Sequence, residues 1–521
     1  MEWKSLAHLV ESAAERFGEK PLFIFEDKPL SFAEVNRLAN CAANALSSLG
    51  VTTGTHVGVM LPNGVDFPIV WFALAKLRGV IVPVNINYHD HDLTYILDDS
   101  QAEVFIVHAD YLDQWEKIRA DLPRVRETLV VGESTRAKNL LREMESAREE
   151  FDSSQASADD LLNIQYTSGT TGFPKGCMLQ QKYWLQIGQI AADYFGLTPE
   201  ERNLTVQPFY SLDPQWNTVA SLIGGAALVI LPRFSPSNFW REVNRHKVTV
   251  LYLLGTMPFF LAKMPEDPAL ERGHKLNMIL CSGIHPRFHA EFERRWAVPW
   301  REAFGMTETG VDLIVPFEDS FTVGSGAMGK PIPTKEARIL GFDGKDVSEG
   351  GVGELILRGE PMMMGYWKKP EATAETIRDG WLHTGDLVFK DEKGYYHWKA
   401  RLKDTIRRAG ENISTVEVEG VLMEHPAVKL AAVVPVPDEL RGEEVKAYIV
   451  LKDGRTRENT PPEEILDHAR EELAYFKLPR YIEYMDDLPR TASERIEKYK
   501  LVKMKPDLRV GSYDAVEKIW R

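Results

Sequence analysis

Hydrophobic positions recur along this chain with two alternating periods. Ser31 to Gly50 reads SFAEVNRLANCAANALSSLG, with Phe32, Val35, Leu38 and Leu46 at helical spacing. Ser31 and Glu34 make a capping-box pattern at its start and a glycine closes it, so a helix is predicted there. A short apolar run, HVGVMLP, then precedes a helical stretch, DFPIVWFALAKLRG, and a second run, VIVPVN. Later runs are EVFIVHA, ALVILP, TVLYLLG and NMILCSG. Strand-like runs alternating with helical stretches predict a layered α/β architecture with largely parallel sheets. Their near-continuous apolarity implies cover on both faces.

The pattern changes twice. Glu133 to Asp160 is polar and highly charged, which reads as a surface helix and loop rather than a binding segment. Beyond residue 400 the chain carries its own strands (KLAAVVPVP, VKAYIVLKDG, YIEYMD) and a capped helix, TPPEEILDHAREELA. That is enough for a separate α+β unit. A chain of 521 residues exceeds what one core usually organises. The expected organisation is a large multi-sheet N-terminal domain of layered α/β/α type over 1–402, and a smaller α+β C-terminal domain over 403–521.

Composition narrows the class of partner. A net charge of −15 argues against a protein that coats nucleic acid or an anionic membrane. Cys41, Cys177 and Cys281 are far apart and lack CxxC spacing, which fits a reduced protein with neither disulfide framework nor zinc site. The start of the chain mixes acids and bases, unlike an export signal. The apolar stretch Thr218 to Pro232 is too short and too Gly-rich to span a bilayer. A cytoplasmic location is expected.

One stretch fits neither period. Tyr166 to Gly176 reads YTSGTTGFPKG and promises neither a good helix nor a good strand. Glycines let the backbone approach a ligand closely. Consecutive amides and hydroxyls make an anion-binding concavity, and Lys175 adds mobile positive charge. Together they suit a polyphosphate. This is not a Walker A loop, because Lys175 is followed by Gly176 rather than Ser or Thr.

YTSGTTGFPKG resembles the phosphate-loop signature of the adenylate-forming superfamily: acyl-CoA synthetases, firefly luciferase and nonribosomal peptide adenylation domains. Further motifs follow in the family's order: FGMTE (Phe304 to Glu308), GWLHTGD (Gly380 to Asp386), RLKDTIRRAGENIS (Arg401 to Ser414) and LPRTASERIEKYKL (Leu488 to Leu501). The resemblance spans essentially the whole chain. It implies transfer of AMP from ATP to a carboxylic acid, release of pyrophosphate, and attack by the thiol of coenzyme A. A carboxylate meets a triphosphate in the first step, so positive charge, N–H donors and Mg2+ must offset their repulsion.

Carried over by position, the resemblance implies that Thr167, Ser168, Gly169, Thr170, Thr171, Gly172 and Lys175 cradle the outer phosphates. Thr307 contacts the α-phosphate and Glu308 helps hold Mg2+. Phe304, with Gly305 and Met306 beside it, flanks the adenine against Ser282, Gly283 and Ile284. Asp386 accepts hydrogen bonds from the ribose hydroxyls, with Arg401 nearby. Lys403 matches the hinge about which the small, mobile domain swings, and Gly410, Glu411 and Asn412 line the thiol channel. His383 reads as a packing residue rather than a catalyst.

The pattern breaks in two places. The family's Gly-Lys pair near the C-terminus is Glu494-Arg495 here, and arginine is not a conservative stand-in for that lysine. Arg495 does the lysine's work, or Lys498 or Lys500 takes it over, or the protein binds nucleotide or acyl-adenylate without catalysis. On the acyl side, Gln181 replaces a common histidine and the gate position falls at Ser211. Tyr210, Asp213 and Trp216 lie where the family lines its acyl pocket, with Leu254, Gly255, Thr256 and Met306 as further wall candidates. An acid beside aromatic faces suits a polar or cationic acyl group better than a long aliphatic chain. Equally, Trp216 reads as core and Asp213 as a turn acid. The segment is similar to the carnitine/crotonobetaine-CoA ligase branch. The leading expectation is an ATP-dependent acyl-CoA ligase for a small or polar acid. The alternatives are a stand-alone adenylating enzyme that loads a carrier protein, the non-catalytic binder, and oxidative luciferase-type chemistry.

Overall fold

The helix Asp66–Leu77 is apolar on nearly every side, and every residue after Asp66 is buried, including Lys76. Such a helix is stable only between two covering layers. It packs beside Phe32–Ser48, and Gln181–Phe195 packs beside Leu212–Gly224. The largest core cluster joins these helices to Val57 and Ile81 of one sheet and to Phe23 and Leu228 of another. Further helices cover the outer faces: Trp240, Phe292 and Trp296 on the second sheet, Ile96 and Trp115 on the first. The layered α/β/α expectation is met.

This computed structural model describes residues 3–167, 174–347, 350–402, 405–408, 411–438, 441–490 and 496–521, with backbone alone for Arg407, Glu411 and Asn412. The predicted Ser31 helix forms as Phe32–Ser48, with Ser31 Oγ accepting the Glu34 amide at 3.2 Å. No helix among the described residues is long and apolar enough to cross a membrane.

Sheet direction departs from the expectation in part. Among the described residues the first sheet has seven strands, six of them mutually parallel. Its last pair, Leu161–Thr167 with Lys175–Gln180, is an antiparallel hairpin. Both ends of YTSGTTGFPKG are therefore strand, which corrects the reading of that stretch as wholly irregular; neighbouring strands supply the ladder that local propensity lacks. In the second sheet the strands from Pro21–Phe25 to Trp300–Met306 run parallel, and those beyond are antiparallel. The reversal occurs because only Thr307, Glu308 and Thr309 connect Trp300–Met306 to Gly310–Ile314, too few residues for a crossover.

Sheet membership changes between Arg401 and Thr405. Strands from Thr405–Arg408 to Ile519–Trp520 form a third sheet, covered by helices Thr415–Glu424 and Pro462–Glu472. The second of these is not side-chain capped as expected. Its N-cap is Pro461, and Thr460, one residue too early, bonds to Asn459 instead.

A buried ion pair holds the reversal in place. Lys335 Nζ lies 3.3 Å from Asp312 Oδ1 with both side chains inaccessible to solvent, and it also donates to the carbonyls of Gly359 and Pro361. Thr309 Oγ1 donates to Asp312 Oδ2 at 2.5 Å. Burial pushes the Asp312 carboxyl up and the Lys335 ammonium down, so desolvation outweighs the attraction within the pair. Removing one partner strands the other charge, at a cost of about 3–5 kcal/mol, whereas replacing both by apolar groups costs much less. Lys335→Met should lower the first transition in urea denaturation by that amount, and Lys335→Met with Asp312→Leu should recover most of it; equal losses in both would contradict the pairing.

Candidate active site

The phosphate-loop hairpin is held at its base. Thr167 stands opposite Lys175 in the ladder. Tyr166 donates to Asp99 Oδ2 at 2.7 Å, and Tyr95 donates to the Pro174 carbonyl at 2.8 Å. Ser168, Gly169, Thr170, Thr171 and Gly172 lie outside the described residues. The Lys175 ammonium sits 4.2 Å from the centre of the Tyr366 ring.

That ring joins the hairpin to the FGMTE turn. Tyr366 donates its hydroxyl to Glu308 Oε1 at 2.7 Å, while Met363 donates its amide to the Glu308 carbonyl at 2.8 Å. The Thr307 carbonyl accepts from Tyr183 at 3.0 Å. Glycine is required at position 305: a β-bulge falls between Phe304 and Gly305, and a Cβ on Gly305 would lie 2.0 Å from the Gly310 carbonyl. The expected phosphate lysine and metal carboxylate thus belong to different sheets and meet on one side chain.

The expected adenine wall is built around a buried acid. Glu302 accepts the Gly283 amide at 2.5 Å on one oxygen and the Ile284 amide at 2.7 Å on the other. Gly283 has φ +90°, which suits glycine. Ser282 donates to the Ala303 carbonyl at 2.5 Å and accepts from Tyr252 at 2.8 Å. Gly255 donates to the Ser282 carbonyl at 2.8 Å, so Gly255 and Thr256 adjoin this wall. Phe304 is half-buried in the neighbouring strand.

Asp386 and Arg401 are register partners on adjacent antiparallel strands. Asp386 Oδ1 is 2.9 Å from Arg401 Nε and accepts the Trp398 indole N–H at 2.9 Å. The arginine also donates to the Thr384 carbonyl at 3.1 Å. His383 Nδ1 contacts Glu354 Oε2 at 2.8 Å across the sheet.

On the acyl side, Trp216 is core: it stacks on Phe195 and meets Tyr252 edge-on, with centroids 6.4 and 5.3 Å away. Asp213 sits in the first turn of Leu212–Gly224, its carboxyl pushed up to about 6 by burial against the opposing hydrogen bonds of Trp216 and its own amide. Tyr210 accepts from Asn87 at 3.4 Å, and Ser211 Oγ donates to the Pro208 carbonyl at 2.7 Å. Met306 and Leu254 are partly buried against the main core. Gln215 bonds both Asn163 and the Phe209 carbonyl, tying this helix to the hairpin's first strand.

In the C-terminal unit, Lys498 opens the short helix Lys498–Lys503 and lies 2.7 Å from both Glu419 Oε1 and Thr415 Oγ1 of the covering helix Thr415–Glu424. Glu411 and Asn412 belong to the strand Glu411–Ser414, which pairs with Thr405–Arg408. Lys403, Gly410 and Arg495 lie outside the described residues.

Tyr366, Glu302, Trp398 and Tyr252 were not singled out from the sequence. In MMMGYWKKP, Tyr366 looks like one more core aromatic. Glu302 could have been found, since it stands two residues before Phe304 in a strand and so shares its face.

Lys175 and Glu308, expected to meet a triphosphate and its metal, thus share one aromatic side chain. The comparisons with known proteins agree. The AMP-binding enzyme model matches residues 10–367 and the AMP-binding enzyme C-terminal domain matches residues 417–495. A sulfoacetate–CoA ligase of Cupriavidus necator is 31% identical, covering 96% of this chain and 97% of its own. A crotonobetaine/carnitine–CoA ligase of Salmonella paratyphi A is 30% identical, covering 96% and 99%. The solved structure of the anthranilate CoA ligase AuaEII with anthranoyl-AMP superposes with a TM-score of 0.83 at 27% identity, over 96% of this chain and 97% of that one. The chain belongs to the AMP-binding enzyme family, among its AMP-forming acid–thiol ligases.

Burial pushes Glu302 up to about 8 from an ordinary 4.5, with the two backbone amides opposing it. A raised carboxyl binds its proton more tightly in the folded state, so its contribution to stability is complete below about 4.5 and is lost as pH rises towards 8. The expected slope is at most about 1.4 kcal/mol per pH unit. Thermal or urea unfolding between pH 5 and 8 should show this fall, and Glu302→Gln should flatten it; an unchanged slope in the variant would remove Glu302 as its source.

Proposed function

We propose that this protein is an ATP-dependent acyl-CoA ligase that activates a small or polar carboxylic acid. Acid and ATP give acyl-AMP and pyrophosphate; the coenzyme A thiol then displaces AMP to give the thioester. The observation that carries this reading is the meeting of Lys175 and Glu308 on Tyr366, which brings cation and carboxylate from separate sheets to one point. Lys175 and the hairpin amides would neutralise the outer phosphates, and Thr307 the inner one. Glu308 suits Mg2+, which is usually held by one or two carboxylates together with phosphate oxygens; bound there, it would screen phosphate charge. Asp386 and the turn from Ser282 to Ile284 would orient ribose and adenine. Lys403 as pivot, with Gly410, Glu411 and Asn412 along the thiol path, belongs to the same proposal.

For the acid, Tyr210 and Asp213 support a polar group better than an aliphatic tail. A relative at 30% identity that acts on crotonobetaine or carnitine points the same way. CoA-dependent AMP release should be severalfold faster with carnitine, a short-chain acid or an aryl acid than with palmitate. A marked palmitate preference would remove the polar-pocket reading. Release that needs a carrier protein in place of free CoA would shift the function to carrier loading.

Lys498 is engaged by Glu419 and Thr415 and Lys500 by Glu497, which favours Arg495 as the first choice for the catalytic cation. In ATP–pyrophosphate exchange, Arg495→Ala should lose about 100-fold or more, the scale of deleting a charge-stabilising donor, and Lys498→Ala only a few-fold. The reverse order would transfer the role to Lys498. No exchange in the unmodified protein with any acid would favour a non-catalytic nucleotide or acyl-adenylate binder.

A further inference from the structure

We propose that Tyr366 is a spacer that keeps the Lys175 ammonium and the Glu308 carboxylate from neutralising one another, so that each is available to the incoming nucleotide. The proposal rests on Lys175 as a phosphate ligand and Glu308 as a metal ligand.

The two charged groups use different parts of one neutral side chain. The ammonium lies over the ring face at 4.2 Å, where the ring quadrupole attracts a cation. The carboxylate takes the hydroxyl at the ring edge at 2.7 Å. Among the described residues the two are joined through Tyr366 and not by an ion pair. At this depth a direct lysine–glutamate bridge would be strong, because Glu308 is buried and the attraction between opposite charges grows as the dielectric falls. Nucleotide would then have to break that bridge before gaining either group.

The ring is not free to swing aside. Trp367 donates to the Gly176 carbonyl, Met178 to the Gly365 carbonyl and Met364 to the Met178 carbonyl, all within 2.8–2.9 Å, and Thr373 Oγ1 accepts the Tyr366 amide at 2.9 Å. Only 4% of Tyr366 is exposed. Its backbone is paired to the strand that begins with Lys175, which sets the ring beneath the lysine as a consequence of register.

Calorimetric titration of the full-length protein with ATP in EDTA tests the spacer independently of the unidentified acid. Tyr366→Leu removes ring and hydroxyl together, and the expected result is an ATP affinity about tenfold weaker, as Lys175 collapses onto Glu308. Adding Glu308→Gln to that variant should restore the affinity to within about twofold, because the ammonium loses its competing partner. Loss of packing alone would not be rescued by Glu308→Gln, so failure of the rescue, or unaltered binding by Tyr366→Leu, overturns the proposal. Unaltered ATP binding by Lys175→Ala would instead remove the phosphate reading of Lys175, on which the spacer depends.

Discussion

The site depends on one short ladder of backbone hydrogen bonds. Met363 to Trp367 pairs with Gly176 and Met178 on one side and takes the Glu308 carbonyl on the other. Without it, the hairpin of the first sheet and the turn of the second would be separate surface features. With it, lysine and carboxylate share a single aromatic ring. Backbone pairing suits this purpose because it fixes register as well as proximity, and a slip of one residue would turn Tyr366 to the opposite face.

Buried charge recurs around this ladder. Asp312 with Lys335 lies behind the turn that carries Thr307 and Glu308, and Glu302 lies beneath Gly283 and Ile284. Such groups are weak contributors to stability, as the direction of their titration shows. What they supply is geometry. A buried carboxyl group with both oxygens on backbone amides defines the path of a turn more narrowly than apolar packing can.

The C-terminal sheet follows a different logic. Its own cluster of helices and strands accounts for Lys498, whose ammonium is spent on Glu419 and Thr415. The family's lysine is replaced by arginine at position 495, and a planar, forked guanidinium is able to meet two phosphate or carboxylate oxygens at once.

Much of this was legible in the chain itself. Helical and strand periods located the Ser31 helix, the apolar Asp66 helix and the separate unit after residue 400, because those signals are local and repeat. The order of five motifs pointed to the superfamily, since each motif is continuous in sequence. Whether Trp216 was core or pocket was not legible; contact with Phe195 and Tyr252, distant along the chain, decided it. The same holds for Tyr366 and the Asp312–Lys335 pair. Their roles arise from partners tens to nearly two hundred residues away, brought together by sheet register and by the antiparallel reversal at Thr307 to Thr309. A local pattern can announce a strand, but only the assembled sheets determine what its side chains face.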